Sequence, residues 1–206
     1  MFLPRTVRGR VTAAGAVVAA GALIAAVVVA VGHGGAAPAA SGSDDTQAAG
    51  SSVATGMTTY AAGRRTTVPD LSGSTLTGGQ LALAQDRGHV VVVNFWASWC
   101  GPCRGEVPGL EQAYQAFQGR GVDFVGVDVA DQAGAATSFA RSLGMSYPSL
   151  QDPNQQLILE LKSLVPPDDV PSTLVVDPQG GVAVRVIGPV TEAQLTGQLN
   201  ALLAQN

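Results

Sequence analysis

Cys100 and Cys103 are the two cysteines of this 206-residue chain, and they stand three apart around Gly101-Pro102. On the first turn of a helix that spacing leaves the Cβ atoms about 5–6 Å apart, so a small adjustment brings the sulfurs to bonding distance. Such a pair opens and closes with little backbone movement. Cys100, at the helix start, would face free backbone N–H groups and the positive end of the helix dipole, which favours its thiolate and lowers its pKa below that of an ordinary thiol. It is the expected attacking thiol. Cys103, one turn further in, is the expected resolving thiol, which attacks a mixed disulfide on Cys100 and releases the partner. Pro102 removes a donor and stiffens the turn, which bears on the redox potential.

Three other uses of the pair compete with this one. A structural disulfide across so short a loop contributes only about 2 kcal/mol on the chain-entropy model. A zinc site needs about four ligands, and beyond the two cysteines the chain offers only His33 and His89. Inert buried thiols fit poorly with a Gly-Pro turn that opens a helix after an apolar strand. Redox chemistry is the reading these residues favour, with no metal and no cofactor.

The elements that must position the pair read as follows. Val90 to Trp96 is a short apolar run rich in β-branched and aromatic residues, the pattern of a central strand covered on both faces. Ala97 and Ser98 turn the chain, and a helix from about Cys100 to Gln118 carries Leu110, Tyr114 and Phe117 on one stripe, with Pro108 inside it and Gly119-Arg120-Gly121 at its end. A strand over Val122–Val129 follows, then a helix from about Gln132 to Leu143 that stops at Gly144. Asp152-Pro153 is expected to open another helix, to about Leu161. Ser172–Val176 is a strand, Asp177–Gly180 a turn and Gly181–Ile187 an alternating strand. Thr191-Glu192-Ala193-Gln194 is a capping box for a last helix that buries Leu195, Leu199 and Leu202. Before the first strand, Thr66–Thr77 is expected to form a hairpin around Ser72-Gly73 and Gln80–Gln85 a helical turn, with His89 a loop histidine. The order implies an α/β fold with a mixed central sheet flanked by helices.

Ahead of this domain, expected over residues 66–206, the chain changes character. Arg5, Arg8 and Arg10 precede an uncharged Ala/Val-rich run from Val11 to about Gly32, long enough to cross a bilayer as a helix. The flanking positive charges predict an N-in orientation, so residues 1–32 are expected to be a membrane anchor with the C-terminal domain outside the cytoplasm. A cleaved signal peptide is the alternative, with Ala37-Pro38-Ala39 as an A-x-A-like site and a secreted domain as the product. Either way the dithiol is exported to a compartment that permits disulfides. Residues 33–65, rich in Gly, Ala, Ser and Thr, read as a flexible linker with a span of about 30 Å. Arg64 and Arg65 at its end read as solvated charges. Nucleic-acid binding is disfavoured by a net charge of −4, or −7 once the three N-terminal arginines are set aside.

The segment Asn94-Phe95-Trp96-Ala97-Ser98-Trp99-Cys100-Gly101-Pro102-Cys103-Arg104 resembles the active-site segment of thioredoxin-like proteins. With Glu106-Val107-Pro108 it resembles the TlpA/ResA branch of membrane-tethered extracytoplasmic thiol-disulfide oxidoreductases. The likeness covers roughly Val68 to the C-terminus. It implies a thioredoxin-like fold with an N-terminal hairpin, a central helical insertion and a redox-active Cys100–Cys103 disulfide. It also implies a cis Val170-Pro171 bond against the dithiol, where Val170 and Pro171 meet the substrate together with Trp99. Where thioredoxins have a buried strand aspartate this chain has Asn94, which cannot take a proton, and Glu106 matches an acid of the branch motif. Glu106 is therefore expected to accept the proton of Cys103, although an acid in a first turn is also favoured simply by the dipole. Trp96 reads equally as core, and Arg104 as a solvated charge near the rim. Where the branch has a short aromatic-Gly-Val link, this chain has Leu164-Val165-Pro166-Pro167-Asp168-Asp169.

The function that the resemblance implies is reduction of disulfides in exported proteins such as apocytochrome c during cytochrome c biogenesis, with electrons from a membrane thiol carrier of the DsbD/CcdA type. Disulfide formation in secreted proteins is the rival. A tethered metal or haem chaperone is the alternative of another class; it would want further Met, His or Cys near Cys100, and none of the three methionines lies beside it.

Overall fold

Strand β4 (Val90–Trp96) is buried at all seven positions, and the rest of the molecule is laid out on its two faces. The computed structural model describes residues 56–205. The apolar run up to Gly32, and with it the expected anchor, lies outside the described residues. Among the described residues no helix is long and apolar enough to cross a membrane.

Beside β4 run β5 (Val122–Val129), parallel to it, and β7 (Ser172–Val176), antiparallel. The six-stranded sheet continues through β6 (Ser149–Asp152), parallel to β5, on one side. On the other, β8 (Val182–Ile187) and β1 (Gly56–Thr59) extend it antiparallel, in the order β1-β8-β7-β4-β5-β6. A separate hairpin joins β2 (Ser72–Ser74) and β3 (Gln80–Ala82). The helices are α1 (Gly101–Phe117), α2 (Ala133–Leu143), α3 (Gln156–Glu160) and α4 (Glu192–Leu203).

Because successive side chains of a strand point to opposite faces, β4 feeds two cores. Val90 and Val92 pack with Leu110, Ala113 and Phe117 of α1 and Leu195, Leu199 and Leu202 of α4. Val91, Val93 and Phe95 pack on the other face with Leu71, Leu150, Ile158, Leu161 and Val165. Each such buried Val, Leu or Phe is worth about 1.5–3 kcal/mol. A third cluster, Trp96, Ala97, Cys100, Cys103, Val107, Ala136 and Phe139, lies around the dithiol. Its Trp96 and Phe139 rings stack with centroids 5.1 Å apart, a contact worth about 0.5–1.5 kcal/mol beyond burial. This is the thioredoxin-like arrangement that the active-site segment implied.

Several local expectations are corrected. Ser72 and Gly73 lie within β2, and the turn falls at Thr75–Gly79, where Gly78 takes φ +86° and Gly79 N–H donates to the Thr75 hydroxyl at 3.0 Å. Gln80–Ala82 is strand, and the helical turn is a 3-10 turn over Leu83–Asp86. Asp152 ends β6 and does not open a helix, although its carboxylate still reaches the N–H of Ile158 in α3 at 3.0 Å. The last ten residues of the expected linker are structured: Gly56–Thr59 pairs with β8, and Arg65 closes a salt bridge to Asp177 at 2.9 Å instead of standing in solvent. β8 contributes to both cores, Val182 to one and Ala183, Val184 and Val186 to the other, and is buried along its whole length, so the expected alternation of burial is lost.

Candidate active site

Val176 to Ser172 on β7 and Val91 to Phe95 on β4 bring two strand ends to the same edge, and α1 starts there. Cys100 is the N-cap of α1, with Pro102 in the first turn as helix starts favour. Cys100 and Cys103 form a disulfide with Cα atoms 5.3 Å apart. The N–H of Cys103 donates to Cys100 Sγ at 3.1 Å. One of the orphan donors of the helix start is thus aimed at the sulfur expected to become the thiolate. Cys100 is 4% exposed and Cys103 fully buried, so a visiting sulfur meets Cys100.

Across from the dithiol the Val170-Pro171 peptide is cis, and the Val170 carbonyl oxygen lies 3.6 Å from Cys100 Sγ. Asp169 N–H closes a turn onto Pro166 O at 3.0 Å just ahead of it, so the Pro-Pro-Asp-Asp stretch presents Val170 as the chain enters β7. Val170 is half-buried, and Trp99, the most exposed large apolar residue described, stands 58% open beside Cys100. The Trp99 indole N–H donates to Ala130 O at 3.2 Å. Trp96 is core. The Arg104 guanidinium lies over the Phe139 ring, 4.8 Å from its centroid, so this charge is packed on an aromatic and not merely solvated.

Glu106 is buried, 4% exposed, one turn beyond Cys103 on α1. The Asn94 side-chain amide donates to its Oε1 at 2.9 Å, and the Val190 N–H donates to its Oε2 at 3.0 Å. Burial pushes its pKa up from 4.5 to about 7 against the pull of those two hydrogen bonds, so the carboxyl gains and loses a proton near neutrality. Asn94 also donates to Thr173 Oγ1 at 3.1 Å, which ties β4, α1 and β7 together. Glu106 further lines an open groove of about 450 Å³ with Pro102, Gly105, Gly109, Val190 and Glu192.

Two acids were not singled out by sequence reasoning. Asp128, at the end of β5, is 2% exposed, and burial together with the nearby Asp131 and Asp152 pushes its pKa up to about 8. Asp131 accepts the Ser98 N–H at 2.6 Å. The one signal available was an acid near the end of an otherwise apolar strand, a place where polar residues of α/β sheets gather around sites. His89 lies far from this edge and meets Asp123 at 2.6 Å. Among the described residues no group of three or more His, Cys, Asp or Glu side chains is placed to hold a metal ion.

Residues 65–185 match the AhpC/TSA family. Over 125 residues the chain is 31% identical to the thiol-disulfide oxidoreductase ResA of Bacillus subtilis (strain 168), covering 61% of this chain and 68% of that one. Over 118 residues it is 37% identical to the thiol:disulfide interchange protein HelX of Rhodobacter capsulatus, covering 57% and 62%. Among solved structures, a secreted thiol-disulfide isomerase from Corynebacterium glutamicum superposes with a TM-score of 0.68 at 29% identity, covering 72% of this chain and 92% of that one. A DsbF homologue from Corynebacterium diphtheriae gives 0.67 at 32% identity, with 71% and 92% covered.

Proposed function

The chain belongs to the AhpC/TSA family and is a thiol-disulfide oxidoreductase of thioredoxin-like fold, and we propose that it works outside the cytoplasm, tethered by its N-terminal apolar run, as a reductase of disulfides in exported proteins. The cysteine pairs of apocytochrome c are the client class that its resemblance to the TlpA/ResA branch suggests.

In the proposed cycle the Cys100 thiolate attacks one sulfur of the client disulfide. The client S–S bond breaks, a Cys100–client bond forms, and the client's second sulfur leaves as a thiolate. The Cys103 thiol then gives its proton to the Glu106 carboxylate and attacks Cys100 Sγ, which expels the first client sulfur. The client has gained two electrons and the protein holds the Cys100–Cys103 disulfide, which a membrane dithiol carrier would reduce again. The observation that carries this reading is Glu106: a buried carboxyl one turn from Cys103, anchored by two donors and poised near neutrality, suits deprotonation of an inner thiol. Val170, through its backbone carbonyl beside Cys100, and the exposed Trp99 would receive the client as an extended segment.

Gly-Pro between the cysteines supports the reducing direction. The rival, disulfide formation in secreted proteins, draws on the likeness to a secreted thiol-disulfide isomerase. The reduction potential of the soluble domain separates them. A value near thioredoxin's, about −270 mV, is expected, and one near DsbA's, about −120 mV, would overturn the reductase reading.

A further inference from the structure

Beside the strand that leads into the dithiol, two aspartates meet at the end of β5. Asp128 is paired in register with the buried Trp96 of β4 and is itself buried. Its Oδ1 has no hydrogen-bond partner among the described residues, while its carboxyl group is within hydrogen-bonding reach of the Asp131 side chain. Asp131 is occupied on both oxygens: Oδ2 accepts the Ser98 N–H at 2.6 Å and Oδ1 the Gln132 N–H at 2.7 Å. Between the two acids Ala130 adopts φ +51°, rarely taken by a residue with a side chain, and its carbonyl accepts the Trp99 indole N–H. The Ser98–Trp99 turn that delivers Cys100 is therefore fastened to this loop at two points.

Two ionised carboxylates can only accept, so their contact persists only while one of them carries a proton. With both Asp131 oxygens already accepting from the backbone, that proton sits on Asp128. We propose that Asp128 and Asp131 share one proton and together clamp the Ser98–Trp99 turn, which makes Asp128 a positioning residue for exchange at Cys100. Burial, then the charge and hydrogen bond of Asp131, then the charge of Asp152 hold that proton up to about pH 8. Around the pair, β6 contributes Asp152, whose Oδ2 is engaged with Ile158 N–H. β4 contributes the uncharged Trp96. Above that pH two negative groups face each other, and Asp131 is relieved only by moving away with the Ser98 amide. The inference rests on thiol exchange at Cys100 and not on its direction.

The test is NMR on the oxidised domain without any client, in which the two cysteines do not titrate, in a Glu106→Gln background that removes the transition near 7. The side-chain carboxyl carbon of Asp128 and the amide proton of Ser98 should follow one common transition near pH 8. Asp128→Asn, which keeps a donor toward Asp131, should leave the Ser98 amide at its low-pH position and abolish the transition. Asp128→Ala should displace the amide at every pH and, once the Cys100–Cys103 pair has been reduced, slow its exchange with glutathione disulfide about tenfold. Should Asp128→Ala not fold, the parent and Asp128→Asn titrations decide alone. A Ser98 amide that does not titrate between pH 6 and 10, or a transition that survives in Asp128→Asn, overturns the clamp.

Discussion

The Asn94 amide and the Glu106 carboxylate are hydrogen-bonded 2.9 Å apart in the interior, with the amide donating. A residue that cannot take a proton thereby holds in place one that can. In the proposed cycle the work of a single strand acid is divided between a fixed donor on β4 and a titrating group on α1.

Replacing Glu106 by Gln keeps the shape and removes the proton acceptor. General-base assistance is typically worth about 10²–10⁴-fold. Release of a trapped Cys100 mixed disulfide, followed by stopped-flow mixing with a fluorescent client peptide, is expected to slow at least about tenfold at pH 7 and to lose its inflection near 7. Formation of that mixed disulfide should change far less. Equal slowing of both steps would argue for a merely structural carboxyl.

Asn94→Asp substitutes a like charge for a donor. The Asn94 hydrogen bond is one of the two contacts that pull the Glu106 pKa down, so its loss, together with a neighbouring carboxylate, moves the inflection of the release step to higher pH. A pH profile from 5 to 9 measures the shift. An acid-side displacement would mean that the introduced strand carboxyl had itself taken over the proton.

Stability should fall as pH rises. Glu106 goes from 4.5 to about 7 and Asp128 from 3.8 to about 8 on folding, so between those limits the folded chain retains protons that the unfolded chain has released. Their contribution is fully present below about pH 4 and is lost by about pH 8. The melting temperature of the oxidised domain is expected to be lower at pH 9 than at pH 5, with Glu106→Gln flattening the lower part of the window. A rising curve would contradict both shifts.

Gly126 faces Asn94 across the β4–β5 ladder. A Cβ there would overlap the Ser149 hydroxyl and come within 2.7 Å of the Trp96 indole nitrogen. Gly126→Ala is expected to cost about 1–3 kcal/mol, the usual cost of overfilling a packed interior, read from the urea midpoint. Gly134→Ala, in open space on α2, serves as the tolerated control.

Much of the scaffold was legible because its signals are local. The apolar run of β4, the stripe of α1, the Gly144 stop and the capping box at Thr191 each lie within one element, and each stands where expected. What escaped depends on distant partners. The segment Gly-Met-Thr-Thr of β1 has no pattern of its own and owes its form to the free edge of β8. Glu106 could be placed one turn from Cys103 by counting, but its hold on the Val190 N–H spans 84 residues. Asp128 looked like any acid near a strand end; β6 and the loop that carries Asp131 are what bury it.

The outer position of β1 has a practical corollary for anyone cutting the gene. A recombinant product begun at Thr66, where composition places the boundary, would strip Met57 from Val186 and Thr59 from Val184, leaving a naked β8 margin ready to zip onto its neighbours. Production should start upstream of Gly56, in which case the sheet keeps its selvedge and the preparation stays monodisperse.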